Sequence, residues 1–292
     1  MAQATTTLGP ALGKARQKMT IEDLPGPIDY EESGHGATVV FVPGSCSTGA
    51  AWRPIIAYCE NRFRCVTTSL SGYGGTAERR SAADASIAPV AAALEAVIRR
   101  TGRPAHLVGH SFGGLVALAV ALRRLVPLAS LSILEAPAVE LLGAVGEHVH
   151  YRAFRQMTDA YLAAFAAGKV DAIATMIDFY GGAGSFAAWP SRVRAYALET
   201  TTVNVRDWAS AFAFQLSPAL LASLELPLLV IRGGDSHAAV RRANELLARY
   251  CPGAALASID GAAHFMISSH AGEVAALLSE HIGRISAGSI DR

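Results

Sequence analysis

One serine of this chain lies in the stretch LVGHSFGG, where a strand-like run gives way to a helix pattern. Ser111 has Gly109 and Gly113 two positions away on either side. The apolar run 104–109 favours a strand, and the apolar residues of 112–124 favour a buried helix. A serine on a sharp turn between them needs small neighbours, because larger side chains would collide with the nearby backbone. The pattern therefore predicts that Ser111 is a nucleophile on a strained turn.

A nucleophilic serine needs a base, and histidine has a pKa near neutrality. His264 follows the strand-like run 254–260 and a loop of small residues. Such a loop, at the same sheet edge as the serine, favours His264 as the base. His270 and His281 fall inside the final helix pattern and are poorer candidates. His110, next to the serine, is predicted to pack against or line the pocket.

Several stretches resemble the α/β-hydrolase superfamily, over about residues 28–286. VVFVPGSCSTGAAW resembles the family's strand and oxyanion loop, SLSGYGGT its D-x-x-G-x-G-x-S loop, and LVGHSFGG its nucleophile elbow. LPLLVIRGGDS resembles the strand that often carries the acid, and IDGAAHFM the loop that carries the histidine. The resemblance implies a cofactor-independent enzyme with a serine, acid and histidine triad and no metal.

The acid has two candidates, Glu135 and Asp235. By resemblance, the commonest acid position lies three residues beyond the glycine of LLVIRG, where Ser236 stands, and Asp235 is one residue short. Glu135, in SILEAP, ends an apolar strand, and its placement is similar to that of zearalenone-type lactonases. Burying a carboxylate there is costly unless it is used. We favour Glu135 and keep Asp235 as the alternative.

The resemblance also implies an oxyanion hole formed by two backbone N–H groups, those of Phe112 and Ser45. Each such donor contributes about 10² to 10³ in rate. This chain has Pro-Gly-Ser where the family usually has His-Gly-x, so the histidine that anchors the loop is absent.

Strand-like runs alternate with helix patterns along most of the chain. This alternation predicts an α/β-hydrolase fold, with a mostly parallel sheet flanked by helices on both faces and an inserted helical cap. The predicted strands are 37–42, 64–70, 104–109, 128–134, 226–234 and 254–260. The predicted divisions are a flexible N-terminal extension (1–26), the first part of the core (27–137), the cap (138–222) and the second part of the core (223–292).

The cap region holds twelve of the chain's 21 aromatic residues. A cap covers the strand ends, where open α/β sheets bind ligands, so some of these rings are expected in the substrate pocket. We expect a small-molecule substrate that is largely apolar. The predicted pocket residues are His110, Trp189, Trp208, Phe186 and Tyr161.

Composition excludes several other classes of protein. The chain has 292 residues and a formal net charge of +1 without long runs of one sign, which argues against nucleic acid as a partner. It has no apolar stretch as long as a membrane span and no signal peptide, so a cytoplasmic location is expected. The four cysteines form no C-x-x-C pair and are predicted to be reduced thiols. A homodimer is left open.

Together these patterns favour a serine hydrolase that cleaves a carboxylic ester or lactone through an acyl-enzyme on Ser111. A carbon–carbon bond hydrolase or an acyltransferase would use the same triad. A non-catalytic ligand receptor on this fold is the alternative of a different class.

Overall fold

The computed structural model describes residues 26–81 and 84–288, so the predicted extension 1–26, apart from Gly26, lies outside the described residues. One sheet of seven strands organises the described chain. The strands are β1 (Glu31–Gly34), β2 (Ala37–Val42), β3 (Phe63–Thr67), β4 (Ala105–His110), β5 (Leu128–Leu134), β6 (Leu228–Gly233) and β7 (Ala255–Ile259). Their order is β1-β3-β2-β4-β5-β6-β7, with β1 antiparallel to β3 and all other pairs parallel. The predicted mostly parallel sheet is confirmed.

Both faces of the central strands are buried, and their sequences show why. In β2, Val40 and Val42 pack into one hydrophobic layer, whereas Val39 and Phe41 pack into the other. Alternate residues of a strand point to opposite faces, so an unbroken apolar run suits a strand that is covered on both sides.

Thirteen helices are described, and they cover the two faces of the sheet. The helices α2, α3 and α11 contribute to one hydrophobic layer, and α1, α12 and α13 to the other. The prediction that the helix after Ser111 is buried is confirmed, since ten of its 12 residues are buried. A 3₁₀ turn (Gly49–Trp52) precedes α1. The helices are α1 (Arg53–Cys59), α2 (Ala88–Thr101), α3 (Phe112–Arg123), α4 (Val139–Ala144), α5 (His148–Ala166), α6 (Ile173–Gly181), α7 (Ser185–Ala188), α8 (Ser191–Glu199), α9 (Thr201–Ala213), α10 (Pro218–Ala222), α11 (Ala238–Tyr250), α12 (Met266–Ser269) and α13 (Ala271–Gly288).

The seven helices α4 to α10 lie between β5 and β6 in the chain, and residues 138–222 are called the helical segment below. Within it, α4 packs against α5 and α9. It is joined to the rest of the fold where α9 contacts α3 and where α5 contacts α11.

One strand was not predicted and one ends three residues early, whereas the other strands lie within two residues of their predicted bounds. The edge strand β1 was not predicted, because its four residues EESG carry no apolar alternation. The third strand ends at Thr67 and not at residue 70, so the predicted range 64–70 was wrong at its end. Beyond Thr67 the chain leaves the sheet: the hydroxyl of Thr68 donates to the carbonyl of Asp29, and Leu70 accepts the turn hydrogen bond of Tyr73.

The carboxyl ends of the central strands lie side by side. Val42 pairs with Gly109, His110 with Leu134, and Leu134 with Ile231. The strand β2 has β3 on one side and β4 on the other, so the chain order reverses at this point. Such a switch point is where open α/β sheets bind their ligands, and the loops after β2 and β4 meet there.

All four cysteines are buried and free, which confirms the prediction of reduced thiols. None of the helices in the described ranges has both the length and the apolar character of a membrane span.

Candidate active site

Ser111 stands at the turn between β4 and α3, in a backbone conformation that L-residues rarely adopt. Its φ is 53° and its ψ is −129°. Its N–H donates to the carbonyl of Leu134 at 2.8 Å, which ties the turn to the neighbouring strand. Because such a conformation costs about 1 to 3 kcal/mol, it persists only where the surroundings hold it. The structure therefore contains the strained turn that the sequence predicted.

The two flanking glycines are required by close backbone contacts. A Cβ atom at Gly109 would lie 2.5 Å from the carbonyl oxygen of Gly113. A Cβ atom at Gly113 would overlap the carbonyl oxygen of Pro43. The prediction that larger side chains would collide here is confirmed, and the same contacts bring the loop after β2 against the serine turn.

A continuous chain of hydrogen bonds links Ser111, His264 and Glu135. The Oγ of Ser111 lies 3.0 Å from Nε2 of His264, and Nδ1 of His264 lies 2.8 Å from Oε2 of Glu135. A carboxylate only accepts, so Nδ1 carries the hydrogen and Nε2 is free to accept the serine O–H. This is the tautomer that a serine nucleophile requires of its base.

The carboxylate of Glu135 is completely buried, with 0% of the residue exposed, and it is held from two sides. Its Oε1 accepts the N–H of Gly233 at 2.7 Å, and its φ is 49°. The next residue, Ala136, is clamped by the side chain of Asn244, whose Oδ1 accepts the Ala136 N–H at 3.0 Å and whose Nδ2 donates to the Ala136 carbonyl at 3.2 Å. Sequence reasoning missed Asn244, although an asparagine on the buried face of an amphipathic helix is a signal of such a bond.

Asp235, the alternative acid, has an exposed side chain that forms no hydrogen bond or ion pair with any residue in the described ranges. Its backbone N–H donates to the carbonyl of Ala262 at 2.9 Å and so supports the loop that carries His264. The structure thus brings Glu135, and not the carboxylate of Asp235, to the imidazole.

Three aromatic rings lie beside His264, one of them that of the adjacent Phe265, at a centroid distance of 5.4 Å. The ring of Tyr180, on α6, stacks on the imidazole with centroids 4.1 Å apart. His110 lies beside it, with ring centroids 4.8 Å apart, and its Nε2 donates to the carbonyl of His264 at 2.8 Å. Burial, with a smaller effect from His264, lowers the pKa of His110 to about 3, so His110 is neutral. Tyr180 was missed as a site residue, and its contact with the imidazole depends on tertiary packing.

The backbone amides of Ser45 and Phe112 lie next to the serine turn. A Cβ atom at Gly44, which precedes Ser45, would lie 2.9 Å from Cβ of Ser111. Phe112 is the first residue of α3, where N–H groups have no partner within the helix and the helix dipole favours negative charge. In the described part of the chain neither amide donates a hydrogen bond to another residue.

A hydrogen bond to the buried Asp207, which sequence reasoning missed, links the loop of Ser45 to the helical segment. Asp207, on α9, accepts the hydroxyls of Ser45 at 2.5 Å and of Tyr73 at 2.6 Å. Its other oxygen pairs with Nη1 of Arg80 at 2.7 Å, and Glu78 pairs with the same guanidinium at 2.8 Å. The side chains of Arg80 and Asp207 are 1% and 3% exposed, so this ion pair is almost fully removed from water.

A cavity of about 780 Å³ adjoins Ser111 and His264. Its lining includes three of the residues that the sequence predicted for a substrate pocket, His110, Trp189 and Trp208. The predicted pocket residues Phe186 and Tyr161 do not line it. Tyr161 is fully buried, with its hydroxyl on the carbonyl of Thr201, and Phe186 packs against the ring of Trp189 from outside the cavity.

The described residues hold no group of three or more His, Cys, Asp or Glu arranged to bind a metal ion. Beside the serine turn, the cavity presents a hydroxyl, an imidazole and two backbone amides, which together suit acyl transfer.

The sequence profile of the alpha/beta hydrolase family matches residues 39–277, which is more than half of the chain. The chain belongs to the alpha/beta hydrolase family. Its sheet order and its helices on both faces agree with this membership. The prediction of an esterase-type enzyme is confirmed, since relatives of this chain are named as an esterase and as a hydrolase.

Two curated proteins of related sequence carry the names of enzymes. The chain is 28% identical over 274 residues to a pimeloyl-[acyl-carrier protein] methyl ester esterase of Methylococcus capsulatus, covering 86% of this chain and 97% of that protein. It is 25% identical over 212 residues to the (E)-2-((N-methylformamido)methylene)succinate hydrolase of Acinetobacter baylyi, covering 70% of this chain and 75% of that protein.

Solved structures of other proteins share the fold at lower identity. An esterase of Thermogutta terrifontis superposes with a TM-score of 0.69 at 22% identity, covering 93% of this chain and 99% of that chain. A bromoperoxidase of Bacillus anthracis superposes with a TM-score of 0.71 at 19% identity, covering 92% and 100%.

Proposed function

We propose that this protein is a serine hydrolase that cleaves a carboxylic ester or lactone of a small, largely apolar substrate through an acyl-enzyme on Ser111. The observation that carries the proposal is the hydrogen-bonded chain from Ser111 Oγ through His264 to the buried Glu135. The esterase names of the relatives support the same reaction class.

In the first half of the proposed reaction, Oγ of Ser111 attacks the carbonyl carbon while Nε2 of His264 takes the hydroxyl proton. The imidazolium that forms is stabilised by Glu135, whose second oxygen stays bound to the amide of Gly233. The carbonyl oxygen becomes an oxyanion, which the amides of Ser45 and Phe112 stabilise. The carbon–oxygen bond to the leaving group then breaks, and His264 returns its proton to the leaving oxygen.

In the second half, water attacks the acyl-enzyme, and His264 takes one of its protons. The tetrahedral intermediate collapses to the free acid, and Ser111 regains its proton from the imidazolium. In a lactone the leaving alcohol is part of the same molecule, so ring opening gives a hydroxy acid by the same steps.

We further propose that the helical segment is a cap that selects the substrate. It contributes Met176, Ile177, Trp189 and Trp208 to the cavity lining, and Tyr180 to the imidazole contact. The cavity volume falls in the range of small-molecule sites.

Labelling with a fluorophosphonate probe tests the nucleophile, followed by turnover of p-nitrophenyl esters and lactones. Wild-type protein is expected to be labelled once and to hydrolyse the esters. Ser111→Ala is expected to lose the label and about 10⁶ in kcat while unfolding at the same urea concentration. An alanine variant that kept more than about a hundredth of the activity would contradict the proposal, and binding without turnover would favour a receptor.

A further inference from the structure

The charged side chains that line the cavity carry more positive than negative charge. They are Arg53, Arg192 and Asp207. Asp207 is already paired with the buried guanidinium of Arg80, so it offers the cavity no uncompensated charge. The remaining fixed charge of the lining is therefore that of two guanidinium groups.

Neither of these arginines has a structural partner. Arg53 and Arg192 are exposed, and no residue in the described ranges forms an ion pair or a side-chain hydrogen bond with either. Arg194, two residues beyond Arg192, is different: its Nη1 donates to the carbonyls of Ala187 and Trp189 and so holds the chain before α8. The fold thus uses Arg194 for structure and leaves Arg53 and Arg192 available at the cavity.

The two arginines come from different parts of the fold. Arg53 begins α1, directly after the 3₁₀ turn that follows the Ser45 loop, and Arg192 lies in the first turn of α8 in the helical segment. Two cations that line one cavity without counter-ions attract an anion. A guanidinium presents parallel N–H donors that match the oxygens of a carboxylate or phosphate.

We propose that the substrate carries an oxyanion, a carboxylate or a phosphate monoester, remote from the scissile bond, and that Arg53 and Arg192 bind it at the mouth of the cavity. This inference rests on the proposed ester hydrolysis and narrows its substrate class to acidic esters or lactones with an apolar middle. The interaction lies away from the reacting carbonyl, so it acts on substrate binding and capture more than on the chemical step.

Matched substrates test this proposal. They are the p-nitrophenyl ester of hexanoic acid, mono-p-nitrophenyl adipate, and the p-nitrophenyl ester of phosphorylated ω-hydroxyhexanoic acid, which differ only at the remote end. The variants are Arg53→Gln, Arg192→Gln and the double variant. The control is the double variant Arg103→Gln/Arg152→Gln. It removes one exposed arginine outside the helical segment and one within it, and neither of them lines the cavity.

Wild-type protein is expected to prefer an anionic ester. Each single variant is expected to lose about 3- to 10-fold in kcat/KM on that ester, and the double variant about 10- to 50-fold, while the neutral ester changes less than about twofold. The control variant is expected to match wild type on all three esters. Salt at about 0.5 M is expected to reduce the preference, because the arginines are exposed. Of the adipate and phosphate esters, the one with the larger loss in kcat/KM shows which anion the two arginines bind.

Equal losses on neutral and anionic esters, or equal losses in the control variant, would overturn the proposal. Calorimetric titration of Ser111→Ala with adipate tests the anion site independently of ester hydrolysis. Adipate binding that disappears when Arg53→Gln and Arg192→Gln are added supports the anion site even without turnover. Ester hydrolysis that depends on Ser111 but ignores charge would leave the hydrolase proposal intact and refute this one.

Discussion

At the scale of single residues, Glu135 is fully buried, and each of its carboxylate oxygens accepts a hydrogen bond. Its two oxygens accept from different elements, one from the amide of Gly233 at the end of β6 and one from the imidazole of His264 in the loop after β7. A buried carboxylate is tolerated when such charge-assisted bonds replace its water. Because both oxygens have partners, replacing Glu135 tests whether it is the acid that orients His264.

We expect Glu135→Gln and Asp235→Asn to behave very differently. A glutamine amide does not favour the Nδ1–H tautomer of His264, and the corresponding amide costs about 10⁴ in kcat in another triad enzyme. Glu135→Gln should therefore be folded but nearly inactive. Asp235→Asn, with its exposed side chain, should stay within about tenfold of wild type. Steady-state kinetics on one ester, with urea unfolding of both variants, makes the comparison, and the reverse ranking would return the role to Asp235.

A second residue-scale prediction concerns acid stability. Burial, with a smaller effect from His281, lowers the pKa of His106 to about 4, and its Nδ1 lies 2.8 Å from Oγ of Ser130. The unfolded chain binds a proton at His106 near pH 6.5 and the folded chain does not, so stability falls as the pH drops from 6.5 to 4. The contribution of His106 to the free energy of unfolding is fully present above pH 6.5. At pH 4 the loss of this contribution is on the order of 3 kcal/mol.

Urea unfolding at pH 7 and pH 5 measures this effect. His106→Gln should weaken the dependence of unfolding free energy on pH in this window. His35→Gln, which changes an exposed histidine, should leave that dependence as in wild type. Identical pH dependence in wild type and His106→Gln would show that His106 does not carry the effect.

At the scale of elements, the buried pair Arg80–Asp207 joins α9 to the loops that follow β2 and β3. Removing one member of a buried pair leaves an uncompensated charge, which costs about 3 to 5 kcal/mol. Arg80→Met is expected to destabilise the protein by that amount, because Asp207 would keep only the hydroxyls of Ser45 and Tyr73. Adding Asp207→Asn should recover part of the loss.

Urea unfolding of the two single variants and the double variant tests this coupling. The exposed pair Arg284–Glu280 on α13 is the control, and its removal is expected to cost less than about 1 kcal/mol. Additive losses at Arg80 and Asp207 would contradict an energetic connection between them. A lower kcat in the folded Asp207→Asn variant, with little change in KM, would indicate that the contact also positions the amide of Ser45.

At the scale of the whole molecule, the cavity is shared between the sheet edge and the helical segment. Trp189→Ala is expected to change the relative kcat/KM among esters of different acyl chains more than it changes reactivity toward a small phosphonate probe. Phe186→Ala is the control, since Phe186 packs on Trp189 without lining the cavity. Equal losses on every ester and on the probe would instead assign Trp189 a role in holding the fold.

The sequence by itself determined the features that depend on local patterns. Strand-like runs alternating with helix patterns predicted the parallel sheet and its buried faces. The glycines around Ser111 predicted the strained turn, because a Cβ atom at Gly109 would collide with the backbone of Gly113 in the same turn. The crowding at Gly113 comes from the distant Pro43, which only the tertiary structure places there. Ser111, Glu135 and His264 each follow a strand-like run, and strands of a parallel sheet present their ends at one edge, so their proximity was foreseeable.

Tertiary structure alone decided the contacts between residues distant in sequence. The choice between Glu135 and Asp235 depends on which carboxylate points at the imidazole, and a sequence count could not resolve a one-residue shift on a tight turn. Asn244, Tyr180 and Asp207 lie on helices, and the site residues that they contact are 84 to 162 residues away in the sequence, so no local pattern records these contacts. Phe186 and Tyr161 were misassigned for the same reason: side chains of a helix face in all directions, and only its packing decides which of them line a cavity.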